Sequence, residues 1–234
     1  MSPRAYSIRA FAVLAISIAA LACGSPRPKD GQSAPNLHSA GVSASDSLVQ
    51  VEALAAAERG LATFRKLPDL HFFKNAPGQP AELSIGNAAR VAMVRLDSLQ
   101  LFTAGKDPAT AIVPLGRMVY PVLNRGDAQS SITLDNQGGH WQVAEFGEFS
   151  ASTIKAIAAQ TSREGATFGS TTLVTIPALE NLAFLSAGSG RELTLTAISS
   201  STIAGVTAGA SERASALFAR LASVAKKYSG NAPQ

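Results

Sequence analysis

The segment RMVYPVLNRGDAQSSITLDNQGGHWQVAEF, residues 117–146, carries the clearest strand pattern in the chain. Its three runs, 117–123, 128–134 and 140–146, are rich in apolar, β-branched and aromatic residues. The links between them, 124–127 and 135–139, are built mainly from Asn, Asp and Gly. Links that short join neighbouring strands in antiparallel order. The segment therefore predicts a three-stranded antiparallel meander.

One face of this meander is predicted to be buried, because side chains alternate between the two faces of a strand. The candidates for the buried face are Tyr120, Ile132, Leu134, Trp141 and Val143. Pro121 has no N–H with which to continue a ladder of hydrogen bonds, so we predict that its strand lies at a sheet edge.

A second group of strand-like runs follows at 171–176, 181–186 and 191–199, with a tight turn at 187–190. A further strand is predicted upstream at 90–96. Asp97 follows it as the expected N-cap of a short helix that ends near Phe102. The chain thus contains two groups of three strands and one additional strand.

The first helix is predicted to begin at Ser47, where Gln50 completes a capping box, and to end before Pro68. Gly60 lies in its interior and predicts a bend or an end at that position. Helical spacing selects a stripe that we expect to face the core. Its members are Leu48, Val51, Leu54, Ala55, Leu61 and Phe64.

A middle helix is predicted at 152–160, and the last helix has the clearest amphipathic pattern in the chain. Its expected core face consists of Ala214, Leu217, Phe218, Leu221, Val224, Ala225 and Tyr228. Alternating groups of helices and strands favour an α+β fold: a mostly antiparallel sheet in two three-strand groups, or two small sheets, covered by helices. We predict a single domain over 47–229.

The first 22 residues have the plan of a signal peptide: Arg4 and Arg9 precede an uncharged apolar run at 11–21, and small residues follow. This run is shorter than the roughly 20 residues that a membrane-spanning helix needs. We therefore predict export and removal of 1–22.

The residues Ala20, Leu21, Ala22 and Cys23 resemble the lipobox of bacterial lipoproteins. The resemblance implies that Cys23 becomes the first mature residue and carries acyl chains, although the family usually has leucine where this chain has Ala20. Cys23 is the only cysteine in the chain, which agrees with a thiol consumed by acylation. The alternative is an ordinary signal-peptidase site at the same bond, which would release a secreted or periplasmic protein.

The segment 23–46 is rich in Ser, Pro, Gly and Ala and predicts a flexible tether behind the lipidated cysteine. If the cell is Gram-negative, the resemblance favours the outer membrane, because Gly24 replaces the aspartate associated with inner-membrane retention. The formal charge of +4 falls to about +2 when Arg4 and Arg9 leave. The remaining basic residues are scattered, so we expect no nucleic-acid partner.

Catalytic and metal-binding motifs are weak. Ser152 and Lys155 form an S-x-x-K pair, as in serine β-lactamases, but about one such match is expected by chance in a serine-rich chain of this length. His38, His71 and His140 lack second ligands at zinc-site spacing. We expect no cofactor and no metal.

These observations favour a non-catalytic binding or assembly module, held at a membrane by acyl chains on Cys23 and facing an envelope partner that the sequence does not name. The alternative is an envelope hydrolase that uses Ser152 and Lys155, with His71, His140 and Glu145 as further candidate groups.

Overall fold

One mixed sheet of nine strands runs through the part of the chain that the structure describes. The computed structural model describes residues 44–66, 82–163, 168–188 and 192–227, with side chains from Ser47 onward. The strands are β1 (Leu83–Ile85), β2 (Ala89–Val94), β3 (Ile112–Asn124), β4 (Asp127–Gln137), β5 (His140–Phe146), β6 (Thr172–Ile176), β7 (Leu182–Ala187), β8 (Thr194–Ala197) and β9 (Ser211–Arg213). The helices are α1 (Ala44–Phe64), α2 (Leu96–Gln100), α3 (Ala151–Thr161) and α4 (Ala214–Ala225), and a 3₁₀ turn spans Pro108–Ala111.

The strand order is β5-β4-β3-β2-β6-β7-β8-β9, and β1 continues the line of β2 along the same edge of β3. The central pair β2 and β6 is parallel, and all other pairs are antiparallel. The predicted α+β class and the two antiparallel groups are therefore confirmed, and the groups join into one sheet. The short strands β1 and β9 were not predicted, because three residues are too few to show alternation.

The prediction that Pro121 marks an edge strand is wrong. Pro121 faces Ser131 of β4 on one side, and its carbonyl accepts a hydrogen bond from the N–H of Gly86 on the other. In a strand, the N–H and C=O of one residue point toward the same neighbouring strand. The N–H that Pro121 lacks would therefore point toward Gly86, not toward β4. Gly86 lies in the break between β1 and β2, where the ladder is already interrupted. An interior strand therefore tolerates this proline.

Three groups of apolar residues cover the two faces of the sheet. On one face, α1 packs on β3 to β5, while α4 and α2 pack on β6 to β8. The predicted buried residues Tyr120, Ile132, Leu134 and Trp141 lie under α1, with Val143 partly buried beside them. On the other face, α3 places Ile154 and Ile157 against β2, β3, β6 and β7.

Only two of the six residues predicted for the core face of α1 are buried, and Ala55 is partly buried. Leu61 and Phe64 are buried, but Leu48, Val51 and Leu54 are exposed, and the helix packs on the sheet through Ala53, Ala56 and Ala57. Gly60 does not end the helix, which continues to Phe64. A Cβ atom at Gly60 would lie 2.9 Å from Cγ2 of Val143 and 3.2 Å from Cγ2 of Ile132. Small residues thus let the helix approach the sheet closely.

The predicted helix caps shift by a few residues. α1 begins at Ala44, so Ser47 lies inside the helix rather than at its start. The residue before α2 is Arg95, and Asp97 lies in the first turn of the helix, where it accepts hydrogen bonds from Arg95 and Ser98. Its pKa is lowered, chiefly by the hydrogen bond from the Ser98 backbone. The first turn is a favourable place for a carboxylate even without a cap.

Candidate functional site

The predicted lipidation site Cys23 lies outside the described residues, as do the signal peptide, most of the tether and the candidate residues His38 and His71. Within the described residues, no helix is long and apolar enough to cross a membrane. The same residues contain no cluster of three or more metal-binding side chains.

The S-x-x-K pair lies at the start of α3, but its two side chains have separate partners. The hydroxyl of Ser152 lies 2.9 Å from that of Ser150. Ser150, rather than Ser152, caps the helix by accepting a hydrogen bond from the N–H of Thr153. The ammonium of Lys155 lies 3.4 Å from a carboxylate oxygen of Asp127, and its side chain is 57% exposed. The lysine is therefore exposed and paired with Asp127, and no hydrogen bond joins it to Ser152 among the described residues.

The other candidate groups are dispersed. His140 begins β5 and its Nδ1 lies 3.2 Å from Oε1 of Glu52 on α1, with 80% of the imidazole side chain exposed. The same carboxylate oxygen accepts a hydrogen bond from the N–H of Trp141 at 3.4 Å. Glu145 lies further along β5, opposite Thr133, and is exposed. These contacts attach α1 to the edge strand, and none of them joins His140 to Ser152.

The most extensive charged cluster of the described fold is centred on Arg117 in β3. Its guanidinium hydrogen-bonds Asp135 in the neighbouring strand and, at 3.0 Å, Glu148 in the loop before α3. Burial lowers the pKa of Arg117, but hydrogen bonding to Asp135 and the charge of Glu148 outweigh it, so the pKa is raised. Glu148 thereby ties the loop to the sheet. Because the arginine is always charged, the cluster is an ion-pair network rather than an acid–base site.

A small cavity of about 220 Å³ lies between β8, the turn that follows it and α4. Phe184, Leu195 and Leu217 contribute apolar walls, and Glu212 and Arg220 stand at its rim. The guanidinium of Arg220 is already bound to Glu212 at 2.7 Å and to the carbonyl of Ala204 at 2.6 Å. Ligand pockets usually measure roughly 300–1,000 Å³, so this cavity is too small for an ordinary ligand.

The strongest candidate for a contact surface is the outward side of α1. Leu48, Val51 and Leu54, which we call the outer stripe, are 73%, 67% and 40% exposed. They follow one another at intervals of three residues and so lie on one side of the helix. A sequence signal for this orientation was present in Ala53, Ala56 and Ala57, which lie at i, i+3 and i+4 and offer a second side of the helix with small side chains.

The comparisons with known proteins leave the site to be judged from its geometry alone: no family model, no curated protein and no solved structure matches this chain.

Proposed function

We propose that this protein is a lipid-anchored, non-catalytic binding or assembly module of the bacterial cell envelope. The observation that carries the proposal is the outer stripe of α1: three large apolar side chains exposed on a helix whose other side is packed on the sheet. Exposed apolar surface of this kind is typical of sites that contact a protein or a membrane. The signal-peptide pattern and Cys23 supply the membrane address, with the outer membrane favoured in a Gram-negative cell.

The described geometry offers less support for a hydrolase. Ser152 and Lys155 have separate hydrogen-bond and ion-pair partners, and His140 is paired with Glu52 on another part of the fold. Catalysis by an activated serine needs a base within hydrogen-bond reach. The alternative therefore retains the sequence motif without the arrangement that would make it reactive.

Mass spectrometry of the mature N-terminus tests the anchor. We expect a peptide that begins at Cys23 with acyl chains, located in membrane fractions, and a Cys23→Ser variant that leaves those fractions. An unmodified Cys23 in a soluble protein would contradict the anchor and favour secretion.

A fluorophosphonate probe tests the non-catalytic part of the proposal. We expect no labelling of the folded protein beyond that of a Ser152→Ala control. Labelling that disappears in the Ser152→Ala variant would establish the hydrolase instead.

A further inference from the structure

We propose that the outer stripe of α1 lies against the bilayer to which Cys23 is anchored, so that the partner of this surface is the lipid surface itself. This inference rests on the lipid anchor proposed above. It assigns one orientation to the folded unit: α1 faces the membrane, and β6 to β9 lie away from α1 at the other end of the sheet.

Chain connectivity brings the outer stripe close to the anchor. The chain enters α1 at Ala44, and Leu48 lies on the second turn of that helix. The flexible tether that the sequence predicts between Cys23 and Ala44 would have an end-to-end distance of about 25 Å. The helix itself, 21 residues long, measures about 31 Å. The bilayer is therefore within reach of the outer stripe.

The size of the outer stripe also favours the bilayer over a protein. A standard protein interface uses about 20–30 residues on each side, whereas this surface has three large apolar ones, Leu48, Val51 and Leu54. Three partly exposed side chains support affinities on the order of millimolar. A short flexible linker supplies an effective concentration of about the same magnitude. The outer stripe is therefore expected to contact the membrane to which the protein is anchored, but not a soluble partner at low concentration.

The charges around the outer stripe are arranged to keep it apolar. Between Ser47 and Ala55 the only charged side chain is that of Glu52, and its carboxylate points to His140 and to the N–H of Trp141 on β5. The next charged residues are Asp46, two residues before Leu48, and Glu58 and Arg59, which lie one turn beyond Leu54 and have opposite signs. An uncharged stripe with its acidic neighbour held aside can enter a headgroup layer without a large desolvation penalty.

The test uses the full-length acylated protein in vesicles of phosphatidylethanolamine and phosphatidylglycerol. A Val51→Cys variant carries an environment-sensitive fluorophore, because acylation consumes the thiol of Cys23. The matched control is Ile203→Cys, which replaces a side chain of similar exposure, 51%, in the turn after β8. We expect nitroxide lipids to quench the label at position 51 several-fold more than the label at 203. Adding Leu48→Ser and Leu54→Ser should reduce quenching at 51 to the level of the control.

The outcomes separate the two proposals. Equal quenching at both positions in protein with acylated Cys23 overturns the inference and leaves the lipid anchor standing. Protection of position 51 in isolated envelopes but not in pure lipid vesicles identifies a protein partner, which overturns the inference and supports the binding module. An unacylated Cys23 overturns both.

Discussion

Helices α1 and α4 cover the same face of the sheet at opposite ends. They differ in the size of the side chains that they bury, which are mostly small on α1 and mostly large on α4. α4 packs through Leu217, Phe218 and Leu221, all buried. α1 packs mainly through alanines and Gly60 and leaves its largest N-terminal side chains outside. Both helices have an apolar residue repeat in sequence, so the repeat alone does not say which side faces the core.

The sheet beneath each helix explains the difference. Under α1 the strands present Tyr120, Ile132, Leu134 and Trp141, which fill the space between the layers. Above these large residues α1 buries mostly small ones, and its large buried side chains, Leu61 and Phe64, come only in its last turn. Under α4, Phe218 is buried, and its ring packs edge-on against the ring of Phe102, with 5.5 Å between the ring centroids. In a close-packed interior the side chains of both layers must fill the space together, so the side of a helix that faces the sheet depends on the strands beneath it.

The largest effect is expected from removing the central aromatic side chain of α4. Phe218→Ala should lower the free energy of unfolding by about 3–5 kcal/mol, since it removes a fully buried ring and leaves a cavity. Urea unfolding measures the loss. Ser223→Ala, at an exposed position of the same helix, is the control and should change little. A loss below about 1 kcal/mol for Phe218→Ala would mean that Phe218 is not packed in the core under α4.

The close approach of α1 to the sheet is tested by placing a large side chain at Gly60. Gly60→Leu should destabilise the fold by about 1–3 kcal/mol, because the new side chain meets Val143 and Ile132. Ala62→Leu makes a similar increase at an exposed position two residues away and should be nearly neutral. Equal effects of the two variants, measured by urea unfolding, would mean that Gly60 does not face the sheet.

A smaller effect is expected at Tyr120, whose hydroxyl is buried without a hydrogen-bond partner among the described residues. Tyr120→Phe should be neutral or stabilising by up to about 1 kcal/mol. Burial raises the pKa of Tyr120 in the fold. Because the fold favours the neutral phenol, ionisation of Tyr120 does not affect stability below about pH 10, the pKa of tyrosine in the unfolded chain. As the pH rises above that value, the free energy of unfolding falls. The variant should lose less stability than the parent between neutral and alkaline pH.

This pH dependence is followed by urea unfolding across that range. A Phe variant that is markedly less stable at neutral pH would show that the hydroxyl has a partner.

The smallest effect on folding is expected at the outer stripe. Leu48→Ser, Val51→Ser and Leu54→Ser should each change the free energy of unfolding by no more than about 0.5 kcal/mol, because these side chains are already exposed. Leu217→Ser on α4 is the contrasting variant and should cost several-fold more. Chemical unfolding of the Cys23→Ser full chain, free of lipid, gives the values. A large loss at Val51 would place the outer stripe in the core.

Much of the fold was predictable from local pattern. Trp141 and Ile132 were assigned to the buried face correctly, because alternation along a strand depends only on neighbours in sequence. The last helix was predictable for a similar reason: Arg220 and Lys226 mark its solvent side, so only one face remains for the core. Neither assignment required knowledge of the partner layer.

The errors arose where the answer depends on distant residues. The orientation of α1 depends on the volume presented by Trp141 and its neighbours, and Pro121 is tolerated because Gly86, far away in sequence, interrupts the ladder beside it. The candidate site was predictable only as a list of residue types. Ser152 and Lys155 have the spacing of the motif on one helix, but Lys155 forms an ion pair with Asp127 at the start of β4. Ion-pair partners of this kind leave no local signal.

The most direct test of the account compares two thiols in the Cys23→Ser full chain, one placed on each helix. Val51→Cys should react with a water-soluble maleimide at nearly the rate of an unfolded thiol, since Val51 is 67% exposed. Leu217→Cys should react slower by orders of magnitude, because Leu217 is 2% exposed and becomes accessible only when the fold opens. If the thiol at position 51 is instead as protected as the thiol at 217, the outer stripe is part of the core, and both the contact surface and its proposed membrane orientation are wrong.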